Sequence, residues 1–159
     1  MLNLPKSIKM VITDFDGIIT DNCVYIDASG NMTRKLNFKD VMAFSILKKK
    51  GYKVGIISGE GNSSIQVINE KFHLDEVHQN IRIKIDVLKA IIEKYNLKDD
   101  EYLYIGDDIN DIEALEYSKN KITVPNAVDR VKEINGIQIT SKSGGDGAFR
   151  EVVDCLTNT

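Results

Sequence analysis

Short apolar runs rich in β-branched residues alternate along this chain with segments of helical period, and that alternation restricts the fold more than any other feature of the sequence. The runs are residues 8–13, 53–58, 102–105 and 121–124. Between them, Ile65, Ile68 and Phe72 recur at helical spacing, as do Ile85, Leu88, Ile91, Ile92 and Tyr95. Phe149, Val152, Val153 and Leu156 make a last amphipathic helix. Strands separated by helices read as βα units, so the expected class is α/β with a parallel sheet. One segment departs from the rhythm: residues 23–26 and 33–38 flank Ala28-Ser29-Gly30-Asn31, a turn-forming cluster, which predicts a β-hairpin inserted after the first strand. A plain surface loop is the other reading of that stretch.

With 159 residues, 42% of them hydrophobic, and no repeat or Pro/Gly-rich linker, one domain over residues 1–159 is expected. A formal net charge of -3 argues against nucleic acid, whose backbone binds clusters of Lys and Arg. Cys23 and Cys155 stand far apart in no ligand or redox spacing, so neither a disulfide framework nor a zinc site is implied. No apolar run approaches the roughly 18 residues needed to span a bilayer, and residues 1–6 lack a signal-peptide core, so no membrane role and a cytoplasmic location are expected.

Ligands of open parallel sheets bind outside the carboxyl ends of the strands, and there this chain is unusually polar. The first run ends in Asp14-Phe15-Asp16-Gly17, the second in Ser58-Gly59-Glu60, and the 102–105 run in Gly106-Asp107-Asp108-Ile109-Asn110-Asp111. Asp14 and Asp16 are two residues apart and point to one side if strand geometry persists, giving one carboxylate for attack and one for proton transfer. Helix capping or a solvated turn would account for a lone Asp-x-Asp equally well. The second acidic group, Asp107, Asp108 and Asp111, weighs toward chemistry, because gathered carboxylates repel and call for a hard, oxygen-seeking cation. Magnesium suits this set, with Asp14 and Asp107 as carboxylate ligands and the Asp16 main-chain carbonyl as another. Magnesium held by few carboxylates leaves room for a phosphoryl group, which Ser58, the Gly59 amide and Lys84 could bind, although singly each reads as a turn or a solvated helix residue. His73 and His78 are read as structural.

In that order, Asp14-Phe15-Asp16-Gly17, Ser58-Gly59, Lys84 and Gly106-Asp107-Asp108 with Asp111 resemble the four-part signature of the haloacid dehalogenase superfamily. The hairpin and the closing Gly144-Gly145-Asp146-Gly147-Ala148-Phe149-Arg150-Glu151 resemble one branch of it, the phosphatases of 3-deoxy-ulosonic acid phosphates, which covers eight-carbon Kdo 8-phosphate and nine-carbon, sialic-acid-type 9-phosphates. The resemblance implies a Rossmann-like core with helices on both faces, no cap domain, and a homotetramer whose subunits help close each other's sites. The gaps between motifs leave no room for a cap. It further implies that Asp14 is the nucleophile, Asp16 the acid and base, and Asp14, Asp16 and Asp107 the magnesium site. Asp108 and Asp111 would assist through water or hydrogen bonds.

For specificity, Glu60 stands where the Kdo 8-phosphate phosphatases carry Arg, and Lys71 follows eleven positions later, which tilts the expected substrate toward a nine-carbon acid with the eight-carbon one as the alternative. An intervening helix would separate the two by about 15 Å, so one ligand reaches both only through a neighbouring subunit or a long substrate. A helix-start acid and a solvated Lys are the plain readings of the two. Arg150 is expected to help close or order a site by resemblance, and to form surface pairs by physics alone. Two rival classes have their own features: a phospho-receiver would share the acids, hydroxyl and Lys but in another order, and a non-catalytic oligomerisation module would not need every chemical position filled.

Overall fold

A computed structural model describes residues 2–158. Six strands form one parallel sheet in the order β5-β4-β1-β6-β7-β8: β1 Met10–Thr13, β4 Lys53–Ile57, β5 Glu76–His78, β6 Tyr102–Ile105, β7 Asn120–Thr123 and β8 Gln138–Ile139. β1 and β6 are buried along their whole length, which is why they read as continuous apolar runs rather than as alternating ones. Helices α1 Phe38–Lys49, α2 Ser63–Phe72, α3 Lys84–Lys94, α4 Ile112–Tyr117, α5 Asp129–Lys132 and α6 Ala148–Thr157 complete the α/β fold. β5 and β8 have no counterpart among the apolar runs of the sequence.

Strand order decides where chemistry can happen. From β1 the chain winds outward to β4 and β5, then crosses back to β6 and winds the other way to β7 and β8. The crevice between β1 and β6 is therefore the topological switch point. Thr13 pairs with Ile105, so the first residues beyond the two strands stand level, and Asp14 N donates to Ile105 O at 2.8 Å.

The predicted hairpin is present as β2 Tyr25–Ile26 and β3 Met32–Thr33, a separate two-stranded sheet. Asp27 organises its turn by accepting from the Ser29 and Asn31 amides, and Gly30 takes a positive φ of 82°. The hairpin and α1 lie between β1 and β4, while α2 and β5 lie between β4 and α3, so no cap domain intervenes among the described residues.

Local signals set the helix ends. Asn37 caps α1 through Lys39 N, and Asn62 caps α2 through Ile65 N. His73 ends α2 in the left-handed region at φ 51°, a structural role as expected. The cap of α6 is non-local: the buried Asp40 carboxylate of α1 accepts from Gly147 N at 2.9 Å and Arg150 N at 3.0 Å. Phe44 of α1 packs on Phe149 of α6 with ring centroids 4.8 Å apart, so helix–helix packing and the cap reinforce each other.

Candidate active site

The strand ends bring the predicted acids together. Carboxylate oxygens of Asp14, Asp107 and Asp111 lie within 4.8 Å of one another, and all three residues are buried. Asp14 Oδ1 accepts from the Phe15 amide at 2.6 Å, and Oδ2 from Lys84 Nζ at 2.8 Å. Lys84 opens α3 with a fully buried side chain and gives a second bond of 2.8 Å to Asp111 Oδ1. One ammonium thus stands behind three carboxylates.

The imbalance appears in the acidities. Burial raises the Asp14 pKa well above the usual carboxylate range, with Asp111 adding to the effect and Lys84 opposing it. Burial, then Asp111 and Asp108, push Asp107 up to about 7. Burial alone would lower Lys84, but Asp111 and Asp14 outweigh it and hold the ammonium above its ordinary value. Tyr104, also buried, is raised well above the ordinary phenol value by burial and then by Asp111. Excess negative charge is being stored where solvent is scarce.

A divalent cation fits that need. Asp107 Oδ1 is buried with no hydrogen-bond partner among the described residues, a state that costs free energy unless something positive meets the oxygen. Asp14 and Asp107 are hard oxygen donors of the kind magnesium takes. Asp111 is close enough to join them, yet its oxygens are already occupied: Oδ1 by Lys84 and by Tyr104 OH at 2.8 Å, Oδ2 by the Asp107 and Asp108 amides at 3.1 and 3.2 Å. Asp111 therefore shapes the loop and anchors Lys84. Asp108 accepts from Ile109 N and completes a reciprocal cap with Asp111 at the short 3-10 turn 109–111.

Glycines make this density possible. A Cβ on Gly17, whose φ is +89°, would lie 1.9 Å from Asp107 Oδ2, and one on Gly106 would lie 2.4 Å from Asp111 Cγ.

A cavity of about 360 Å³ opens in front of the acids, lined among others by Asp14, Asp16, Ser58, Gly59, Glu60 and Asp107. Ser58 is buried, and its hydroxyl donates to Glu60 O at 2.7 Å. Gly59 lies in the loop ahead of α2, which starts at Ser63, and a Cβ there would meet Asn110 Nδ2 at 2.9 Å. Asp16 is held through one oxygen: its Oδ1 accepts from Arg34 Nε and Thr20 Oγ1, at 2.8 and 3.0 Å, while the metal part the sequence suggested for this residue falls to its main-chain carbonyl.

The remaining predicted residues stand elsewhere. Lys84 is behind Asp14 and does not line the cavity. Lys71 is exposed, with its ammonium 5.5 Å from the Phe72 ring centroid, and Arg150 pairs with Asp154 one helical turn away at 2.6 Å. Within the chain, neither Lys71 nor Arg150 joins Glu60 at the cavity. The closing glycines touch the site from behind: a Cβ on Gly144 would fall 1.7 Å from Gly17 O, and one on Gly145 2.4 Å from Asp21 N. Arg34, Thr20, Tyr104 and Asn110 were not singled out from the sequence. A basic residue in the hairpin that directly follows the Asp-x-Asp motif was the one available hint for Arg34.

Comparison with known proteins agrees with this geometry. Residues 57–151 match the family model of haloacid dehalogenase-like hydrolases. The chain is 27% identical, over 95% of its length and 83% of the relative's, to the 3-deoxy-D-manno-octulosonate 8-phosphate phosphatase of Haemophilus influenzae. It superposes with a TM-score of 0.90 and 27% identity on the phosphatase of that name from Moraxella catarrhalis, solved with magnesium, phosphate and Kdo, covering 96% of this chain and 87% of that one. The cobalt-bound Haemophilus influenzae structure gives a TM-score of 0.88 at 25% identity, covering 96% and 89%.

Proposed function

This chain belongs to the haloacid dehalogenase-like hydrolase family, and from that premise we propose that it is a magnesium-dependent phosphatase of 3-deoxy-ulosonic acid phosphates with Asp14 as nucleophile. The observation that carries the assignment is the meeting of Asp14 and the donor-less Asp107 oxygen at the switch point, in front of a cavity large enough for a sugar phosphate. Asp14, Asp107 and the Asp16 carbonyl would hold magnesium. When bound, that ion supplies positive charge to the transferring phosphoryl oxygens and to the crowded carboxylates.

Asp14 attacks phosphorus as the bond from phosphorus to the sugar oxygen breaks, and Asp16 gives its proton to that oxygen. Water then attacks the phosphorus of the aspartyl phosphate, yields a proton to Asp16, and frees Asp14 and inorganic phosphate. Lys84 holds Asp14 in place and lowers the cost of its negative charge. Ser58 and Gly59 line the cavity where the phosphate oxygens would sit. Residues 1–159 act as one domain, and the exposed apolar side chains of the hairpin, Tyr25, Ile26 and Met32, suit packing against another copy in a homotetramer. No helix among the described residues is long and apolar enough to cross a membrane.

Kdo 8-phosphate is the proposed substrate, since the similar proteins carry that specificity in their names. The nine-carbon reading keeps one observation in its favour, Glu60 at the cavity wall, where a carboxylate can accept hydrogen bonds from a polyol chain. Phosphate release from Kdo 8-phosphate, sialic-acid-type 9-phosphates and simple sugar phosphates, with and without magnesium, tests both. Preference for a nine-carbon ester would replace the eight-carbon assignment, and no release from any would remove the activity.

A further inference from the structure

The hairpin carries a cation to which the reaction above gives no part. Arg34 directly follows β3, its side chain is only 7% exposed, and its Nε donates to Asp16 Oδ1 at 2.8 Å. Thr20 Oγ1 donates to that same oxygen at 3.0 Å and is held in turn by the Gly17 and Asn22 amides, at 3.3 and 3.2 Å. Asp16 Oδ2 forms no hydrogen bond with any described residue, and Asp16 lines the cavity. Among the described residues, Arg34 is the one basic residue lining that cavity, whose acidic lining is Asp14, Asp16, Glu60, Asp107 and Asp108.

Rotation of an aspartate about its terminal bond is broad and nearly two-fold, so an unheld carboxyl presents either oxygen, or neither, to a given point. Two donors from different elements, converging on Oδ1, remove that freedom. We propose that Arg34 is a positioning residue for Asp16: with Thr20 it fixes one carboxyl oxygen and so turns the other toward the oxygen of the departing sugar. The inference rests on the assignment of Asp16 as proton donor. In the step concerned, the proton passes from Asp16 Oδ2 to the sugar oxygen while the bond from phosphorus to that oxygen breaks and the bond from phosphorus to Asp14 forms.

A mispointed acid impairs departure of a basic alkoxide and hardly affects a leaving group that departs as a stable anion. This separates positioning from structural support and from substrate binding. The experiment measures kcat and KM with magnesium for Kdo 8-phosphate (or glucose 6-phosphate if that ester is not turned over) and for p-nitrophenyl phosphate, because kcat/KM reports the chemistry up to the first irreversible step. Arg34→Ala is expected to lower kcat/KM for the sugar ester by about 10²-fold, through kcat, and for p-nitrophenyl phosphate by less than about fivefold. Arg34→Lys should recover part of the loss, and Thr20→Val should show the same bias toward the sugar ester to a smaller extent.

Equal losses on both esters in Arg34→Ala and Thr20→Val would overturn the inference. So would a rise in KM alone for Arg34→Ala with Thr20→Val unaffected, which is the pattern of a substrate contact. If Arg34→Ala does not fold, Thr20→Val and Arg34→Lys decide the question between them. A wild-type protein active on neither ester class would remove the phosphatase assignment and the inference together, whereas wild-type activity with unbiased variants removes only the inference.

Discussion

The two ends of the sheet handle charge in opposite ways. At the amino end three acids have bases of their own: Lys9 meets Glu101 at 2.6 Å, Lys48 and Lys53 reach Asp75 at 2.8 and 3.6 Å, and Glu76 is held by Lys94, by His78 at 2.7 Å and by Tyr95 OH at 2.9 Å. Although burial works to raise Asp75 and Glu76, Lys48 for the first and Lys94 with His78 for the second outweigh it and hold both below their usual values. At the carboxyl end Asp14, Asp107 and Asp111 share one Lys84, and burial drives Asp14 and Asp107 upward instead. Acid counts alone do not separate the two places. What distinguishes a site prepared for a cation is that the compensating charge is missing.

The strongest way to break the comparison is kinetic. Asp14→Asn should reduce turnover by more than about 10³-fold with the fold intact by circular dichroism, because the nucleophile is gone. Next comes the cation: magnesium at a hundred times its Kd should stabilise the protein by about 2.7 kcal/mol over an EDTA control, read as a shift in Tm. A magnesium-independent Tm would mean that the carboxyl end is already balanced.

Third, Asp107→Asn should stabilise the metal-free protein at pH 8 by about 2 kcal/mol while abolishing the magnesium response, since it removes a charge the fold tolerates poorly. The same group sets a pH dependence. Its folded pKa of about 7 lies above the unfolded value near 3.8, so between those values the folded state binds more protons, and metal-free stability falls as pH rises. Urea melts across pH 4–8 should show that fall and its flattening by magnesium. Asp75 and Glu76 act with the reverse sign: lowered when folded, they contribute above their unfolded values, and that contribution is lost as pH drops through the folded ones.

The smallest effect is at the amino end. Glu76→Gln should cost about 1 kcal/mol or less in chemical denaturation, because the Lys94 partner is largely exposed, and should leave kcat/KM unchanged. A larger kinetic effect than stability effect would show that the two ends are coupled.

Much of this contrast could be read before any coordinates. Asp14 and Asp107 sit directly after buried runs, and a parallel sheet must present such residues at one edge. The expectations for β4, β6 and the hairpin rested on equally local signals, while the absence of a cap came from the resemblance and agreed with the spacing of the motifs. What could not be read were contacts that need strand order and tertiary reach. Arg34 meets Asp16 because the hairpin folds back over the switch point, and Tyr104 reaches Asp111 from within β6. Three-residue β5 and two-residue β8 are too short to carry a period. Lys71 and Arg150 took their expected roles from resemblance, and inside one chain their helices carry them elsewhere, to Phe72 and Asp154.

The contact of Gly144 with the Gly17 carbonyl ties the fate of two distant stretches together. Any side chain at position 144 would push on the loop that carries the Asp-x-Asp pair. A segment without a single reactive group thereby acts as a mould for the chemistry, and what it contributes is shape alone.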